Sequence, residues 1–136
     1  MSVALLLISH KGIASNLLDT ASSIVNDKPV NMSYVEVPMD APIDTMRKNI
    51  QKKLDQFDQN KEVLILTDIY GGTPSNLASC FISNEKTELV SGLNLAMIIK
   101  AINYRNLPLT ELVEKIIQGG RQSIEQHKDE HPSCHY

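Results

Sequence analysis

Short unbroken apolar runs alternate along this chain with longer stretches whose apolar residues recur at helical spacing, and that alternation confines it to a strand-helix-strand architecture. The first run is Val3-Ala4-Leu5-Leu6-Leu7-Ile8, ending near Ser9. A strand with no polar alternation is covered on both faces, the condition of a parallel sheet flanked by helices. From there Ile13, Leu17, Leu18, Ala21, Ile24 and Val25 fall three and four apart, which predicts a helix with one inward face. Ser33 to Val37 is a second strand, stopped by Pro38; after Pro42 the helical spacing returns in Ile43, Met46, Ile50, Leu54 and Phe57. Val63-Leu64-Ile65-Leu66-Thr67 is the third apolar run. It feeds the turn Asp68-Ile69-Tyr70-Gly71-Gly72 and a helix opening at Thr73-Pro74, with Thr73 as N-cap and Pro74 at the first helical position. A fourth strand, Thr87 to Ser91, leads through Gly92 and Asn94 into an apolar segment from Leu95 to Ile102. Pro108 precedes a last amphipathic helix, inside which Gly119-Gly120 lowers helix propensity. Strands alternating with helices of ten or more residues predict an α/β fold: a doubly wound, mainly parallel open sheet in strand order 2-1-3-4 with helices on both faces.

At 136 residues the chain has the length of one domain. Apolar residues at 42% and charged residues at 21% are globular proportions, which excludes a disordered or fibrous chain. Residues 1–126 are read as the single domain and residues 127–136 as a polar C-terminal tail. The net charge is −3 and the basic residues are scattered, so no nucleic-acid partner is expected. No apolar run approaches the roughly 20 residues of a membrane span. The start, Met1 to Ser9, lacks a basic flank and a cleavage site, so it reads as a strand of a cytoplasmic protein. Cys80 and Cys134 lack zinc spacing and fit a reducing compartment as free thiols. His127, His131, Cys134 and His135 are metal-ligand residue types, but they stand without a second ligand cluster. A solvated terminus is the better reading, and no metal is expected.

In open α/β sheets ligands bind beyond the carboxyl ends of the strands, where neighbouring strands send their connections to opposite faces. Two segments reach that place: Ser9-His10-Lys11-Gly12 after the first strand and Asp68 to Thr73 after the third. With strands one and three as neighbours, His10 and Asp68 meet across the switch point. A carboxylate on Nδ1–H fixes the imidazole tautomer and leaves Nε2 as nucleophile or base. Taken singly, His10 reads as a turn histidine, Asp68 as an Asx turn, and Gly71 and Gly72 as suppliers of positive φ. Taken together they offer more, because a glycine turn running into a helix N-terminus presents backbone N–H groups to an anion such as a phosphoryl group on His10. Neither G-x-x-x-x-G-K-[ST] nor G-x-G-x-x-G occurs, so a nucleotide has no standard grip and the phosphoryl donor is expected to be another protein. Asp68 as the phospho-acceptor, in the way of response-regulator receivers, requires an acidic pair after the first strand, where this chain has Ser9-His10.

Leu5-Leu6-Leu7-Ile8-Ser9-His10-Lys11-Gly12, with Thr67-Asp68-Ile69-Tyr70-Gly71-Gly72-Thr73-Pro74-Ser75-Asn76 and Ser91-Gly92-Leu93-Asn94, resembles the mannose/fructose/sorbose-type (type-4) enzyme IIA of the bacterial phosphoenolpyruvate-dependent sugar phosphotransferase system. The resemblance spans nearly the whole chain, in order. It implies that His10 takes phosphate on Nε2 from the phosphocarrier HPr and passes it to enzyme IIB, which phosphorylates incoming sugar. By the same resemblance Asp68 orients His10, and Gly71, Gly72 and Thr73 hold the phosphoryl oxygens. No cofactor is implied, and the membrane enters only through the transporter components. Many relatives carry a fused IIB domain after a Pro/Ala-rich linker; here a separate IIB partner is expected. The family is typically dimeric, so a homodimer is expected too. Two related functions compete: a regulatory IIA-type phosphoprotein without its own transporter, and the phosphohistidine subunit of a dihydroxyacetone kinase. A flavodoxin-like module that binds a small anion without covalent phosphate is the non-catalytic alternative.

Overall fold

Six consecutive apolar residues can be buried in one strand only if both faces of the sheet are covered, and the first strand shows how this is done. The computed structural model of the protein describes residues 2–27, 30–58, 61–129 and 133. Its elements follow in the order β1 (Ala4–His10), α1 (Ala14–Val25), β2 (Met32–Val37), α2 (Ile43–Gln56), β3 (Val63–Thr67), α3 (Thr73–Ala78), β4 (Thr87–Ser91), α4 (Leu95–Tyr104) and α5 (Leu109–Gln122). A single 3₁₀ turn, Ser79–Phe81, continues α3. The four strands form one sheet in the order β2-β1-β3-β4, every pairing parallel.

Alternation along the central strands sorts their side chains into two cores. Leu5 and Leu7 of β1 join Leu64 and Leu66 of β3 under α1, α4 and α5. Ala4, Leu6 and Ile8 join Ile65 of β3 and Val35 and Val37 of β2 under α2 and α3. Leu5, Leu6, Leu7 and Ile8 are wholly buried, and burial of each such side chain is worth about 1.5–3 kcal/mol. The unbroken apolar run is thus the signature of a strand between two helical layers.

Several helices differ from the expectation drawn from the sequence. α3 is only six residues long rather than ten or more, because the chain tightens into the 3₁₀ turn at Ser79. Its N-cap is Gly72 with extended backbone, not Thr73; Thr73 is already helical and makes no side-chain cap. In α1, Ala14 and Ala21 are the buried positions, while Ile13 and Ile24 of the expected inward stripe are exposed at 38% and 57%. Small alanines let α1 approach the sheet, and the bulkier isoleucines at its ends lie past the core. Ile43, at the start of α2, is likewise exposed. Gly119 and Gly120 do not interrupt α5. A Cβ on Gly120 would stand 2.5 Å from Met97 Cγ, and one on Gly119 2.8 Å from Lys100 Cγ, so the pair permits close packing of α5 on α4.

At the amino-terminal ends of the strands, Arg105 closes the fold. Its Nε donates to the Val3 carbonyl at 3.2 Å and its Nη2 to the Val30 carbonyl, while its own carbonyl accepts from Val3 N–H at 2.8 Å. Burial draws the guanidinium pKa down, opposed by the charge of Asp27.

Candidate active site

The parallel pairing of β1 with β3 places Ile8 opposite Thr67, so the next residues of each strand, ending at His10 and Asp68, emerge side by side. The structure brings these two together. His10 Nδ1 lies 2.7 Å from Asp68 Oδ2, and the same oxygen accepts the His10 backbone N–H at 3.0 Å. Asp68 Oδ1 accepts the Ile69 N–H at 3.0 Å. Burial alone would raise the Asp68 pKa, but the His10 N–H, the His10 ring and the Ile69 N–H outweigh it, and the carboxyl is held below its ordinary value. An ionised carboxylate can only accept, so the Nδ1 that faces it carries the proton. Nε2 is left with its lone pair.

The backbone carbonyl of His10 is also fixed, because Ser9 Oγ–H donates to it at 2.7 Å. Ser9 is fully buried and its oxygen accepts in turn from Ala14 N–H at 2.9 Å. Every polar group of His10 except Nε2 is thereby tied to a neighbour, while the side chain keeps 36% of its surface open to solvent. A ring held at all its other polar atoms can present one nitrogen in one direction.

Gly71 and Gly72 lie in the turn before α3 and have different reasons to be glycine. Gly71 has φ +85° and open space where a Cβ would be, so the left-handed backbone alone demands it. Gly72 has φ −77°, which corrects the expectation that both supply positive φ. Its requirement is proximity: a Cβ there would stand 3.1 Å from His10 Cε1, 3.2 Å from Ile69 Cγ2 and 3.7 Å from His10 Nε2. Thr73 is exposed at the first position of α3, next to this close approach. The Asn76 side chain reaches back over the turn, its Nδ2 donating to the Gly71 carbonyl at 3.4 Å. The site therefore consists of an imidazole with one untied nitrogen beside a backbone position that has no room for a Cβ.

Sequence reasoning named Ser9 and Asn76 within the matching segments without giving either a role, and it missed Glu36. Glu36 of β2 accepts from Ser15 at the start of α1, close in the fold to His10 but 26 residues away along the chain. Ser9 had one legible signal, a hydroxyl residue within an otherwise apolar strand end; Glu36 had none, since an acidic residue on an outer strand usually faces water. Among the described residues no group of three or more His, Cys, Asp and Glu side chains is arranged to hold a metal ion. Of the proposed tail, 127–129 and 133 are described, with His127 exposed, whereas His131, Cys134 and His135 lie outside the described residues. Cys80 is a free, exposed thiol. Among the described residues no helix is long and apolar enough to cross a membrane.

Comparison with known proteins bears on the family and the fold. The family model described as PTS system fructose IIA component matches residues 4–117. Over 127 residues the chain is 27% identical to the PTS system mannose-specific EIIAB component of Escherichia coli K12, covering 91% of this chain and 39% of that protein. It thus spans well under half the length of that relative. The PTS system fructose-specific EIIA component of Bacillus subtilis is 27% identical over 121 residues, covering 88% of this chain and 83% of the relative. Among solved structures, the mannose/sorbose specific IIA subunit of the phosphotransferase system from Enterococcus faecalis superposes with a TM-score of 0.85 at 26% identity, covering 96% of this chain and 98% of that one.

Proposed function

The chain belongs to the family of PTS system fructose IIA components, and from that premise we propose that it is a phosphocarrier that receives a phosphoryl group from phospho-HPr on His10 and delivers it to a separate IIB component. The observation that carries the proposal is the 2.7 Å contact between His10 Nδ1 and Asp68 Oδ2. It leaves Nε2 as the attacking atom. In the forward step the Nε2 lone pair forms the new nitrogen–phosphorus bond as the bond to the donor imidazole breaks, and the donor ring leaves with the electron pair of that bond. The proton on His10 Nδ1 stays where it is, shared with Asp68. Phosphorylation gives the His10 ring positive character, which the carboxylate offsets. Delivery to IIB reverses the same bond changes at Nε2.

Gly71, Gly72 and Thr73 are assigned to the phosphoryl oxygens. Amides in the first turn of a helix have no partner within the helix, and Gly72 lets that backbone come within contact of the ring. Catalysis here is positioning and charge, so neither metal nor nucleotide is required of this chain; the donor arrives activated as a phosphohistidine. The reading includes a cytoplasmic location, with the membrane reached through transporter components, and a homodimer that sedimentation at micromolar concentration will register or refute.

Incubation with enzyme I, HPr and phosphoenolpyruvate, followed by mapping of the phosphate, tests the assignment. Phosphate on Nε2 of His10 is expected; none, or phosphate on another residue, removes it. A purely regulatory IIA protein would load His10 in the same way and pass nothing to a IIB partner, so the second transfer separates transport from regulation.

A further inference from the structure

The turn that carries His10 runs directly into α1, and α1 opens on a residue unable to cap it. Ile13 stands at the N-cap with no side-chain acceptor for the first-turn amides. Two residues from outside the helix supply acceptors instead. Ser9 Oγ receives the Ala14 N–H. Glu36 Oε2 receives both the Ser15 N–H, at 2.8 Å, and the Ser15 hydroxyl, at 2.6 Å. Glu36 lies on β2 opposite Ser9, and its neighbour Val37 lies opposite His10. Its carboxylate therefore reaches from the outer strand across the end of β1 and ties down the helix into which the His10 turn leads. The Ser15 hydroxyl, the Ser15 and Gly12 amides and the charge of Lys11 hold this carboxyl below its ordinary pKa against the opposing effect of burial. A charged acceptor at a helix N-terminus also complements the helix dipole.

We propose that Glu36 is a positioning residue for phosphoryl transfer at His10, acting through the first turn of α1 to set the direction in which Nε2 meets the phosphoryl donor. The proposal rests on the phosphocarrier reading of His10. Glu36 takes no proton and forms no bond to phosphorus; its carboxylate accepts from Ser15 and also faces the Gly12 amide. Its influence passes through the connection from His10 to Ala14, whose middle residue, Gly12, has φ +91° and nothing within 4 Å of where a Cβ would stand. Asn16 Nδ2, from the first turn of α1, donates to the Gly12 carbonyl at 2.7 Å, so the middle of the connection is tied to the same turn that Glu36 holds. Asp68 and Ser9 fix the His10 end, and Glu36 fixes the helical end through Ser15.

The test compares Glu36→Ala, Glu36→Gln and Ser15→Ala with the unaltered protein by single-turnover phosphorylation across donor concentrations and by the nitrogen chemical shifts of the His10 ring. Glu36→Ala is expected to lower the maximal rate about tenfold, a modest share of what misplacement near a reacting centre can cost, with the half-saturating donor concentration little changed. Glu36→Gln keeps an acceptor oxygen and should recover most of that loss, and Ser15→Ala should fall between them. The ring shifts should report a single Nδ1–H tautomer in the unaltered protein and a drift toward a tautomer mixture in Glu36→Ala. A lower melting temperature with unchanged rate per folded molecule and unchanged shifts would make Glu36 a helix cap only and overturn the proposal. Should the unaltered protein accept no phosphate, the phosphocarrier reading falls, and the ring shifts still decide whether Glu36 orients His10. If Glu36→Ala does not fold, the other two variants decide: Ser15→Ala and Glu36→Gln matching the unaltered protein in both measurements overturns it.

Discussion

Two helices begin beside His10 in space, α1 four residues after it and α3 after the turn that follows β3, and the protein treats their starts in opposite ways. The start of α1 is filled by its own acceptors, with Ser9 Oγ on the Ala14 amide and the Glu36 carboxylate on Ser15. The start of α3 has no side-chain cap; Gly72 brings bare backbone against the His10 ring. Unfilled amides at a helix end are normally a cost. Their toleration beside the one untied atom of His10 fits a place kept for an anion that comes and goes, whereas an acceptor built in at α3 would compete with it. The start of α1 is closed by side-chain acceptors, and on the proposed function the uncapped start of α3 is where the phosphoryl oxygens are received.

The largest effect that sharpens this comparison comes from the ring itself. His10→Ala should fold, because the side chain is partly exposed and makes its bonds at the surface of the sheet end, and should accept no phosphate. Phosphorylation of that variant at the normal rate would move the open start's anion elsewhere. Replacement of His127, His131 and His135 together should leave transfer intact.

Next in size is Asp68→Asn. An amide loses the charge that offsets the phosphorylated ring, and it can also donate, which blurs the tautomer. Charge-assisted hydrogen bonds to such groups are worth about 1.5–3 kcal/mol, or roughly ten- to a hundredfold in rate. Single-turnover transfer from phospho-HPr, with folding followed by thermal melts, measures it; equal rates would show that the carboxylate does not orient His10.

How far the sequence disclosed this arrangement depends on what kind of physics set each part. Strand identity and order were legible because burial on two faces leaves a direct trace in unbroken apolar runs, as in Leu5 to Ile8, and because the chain order of parallel strands offers few alternatives. The meeting of His10 with Asp68 followed from that order. What composition and spacing could not convey were distances set by tertiary approach. Gly72 and Gly71 look alike in sequence, yet one answers to the His10 ring and the other to its own φ. Gly119-Gly120 reads as a weak point in a helix and is a contact surface for Lys100 and Met97. Glu36 was invisible for the same reason: its partner Ser15 is brought to it by the pairing of β1 with β2. The short length of α3 was hidden because Thr73-Pro74 marks a helix start without marking its end.

The two glycines supply the third prediction, which isolates the open start. Gly72→Val should slow transfer roughly tenfold while melting changes less, since the new Cβ would stand 3.1 Å from Cε1 and 3.7 Å from Nε2 of His10. Gly71→Val should do the reverse. At φ +85° any Cβ is strained by about 1–2 kcal/mol, but open space surrounds it, so stability should drop with transfer per folded molecule preserved. If the two variants behave alike, the distinction between a strained turn and a close approach fails, and with it the reading of α3 as the receiving end.

The smallest expected effect tests whether the closed and open starts are independent. Each has a carboxylate whose pKa is lowered in the folded protein, Glu36 at α1 and Asp68 beside α3. At neutral pH both are ionised folded or unfolded, and the stability they contribute is fully present. As pH falls through the ordinary carboxylate range, near 4, the unfolded chain binds protons first, so unfolding becomes easier; the contribution is gone once pH lies below the folded values. Solvent screening limits each to no more than about 1 kcal/mol. Urea unfolding midpoints at neutral pH and at about pH 3 should therefore fall further for the unaltered protein than for Glu36→Gln or Asp68→Asn. The double variant decides the comparison. Independent sites give additive losses of pH dependence, whereas groups joined through one network do not. If Glu36 holds the His10 turn that Asp68 grips from the other side, removing either one weakens the grip of the other, and the double variant should lose less than the sum. Strict additivity would mean that the two helix starts are separate devices that happen to share a neighbourhood.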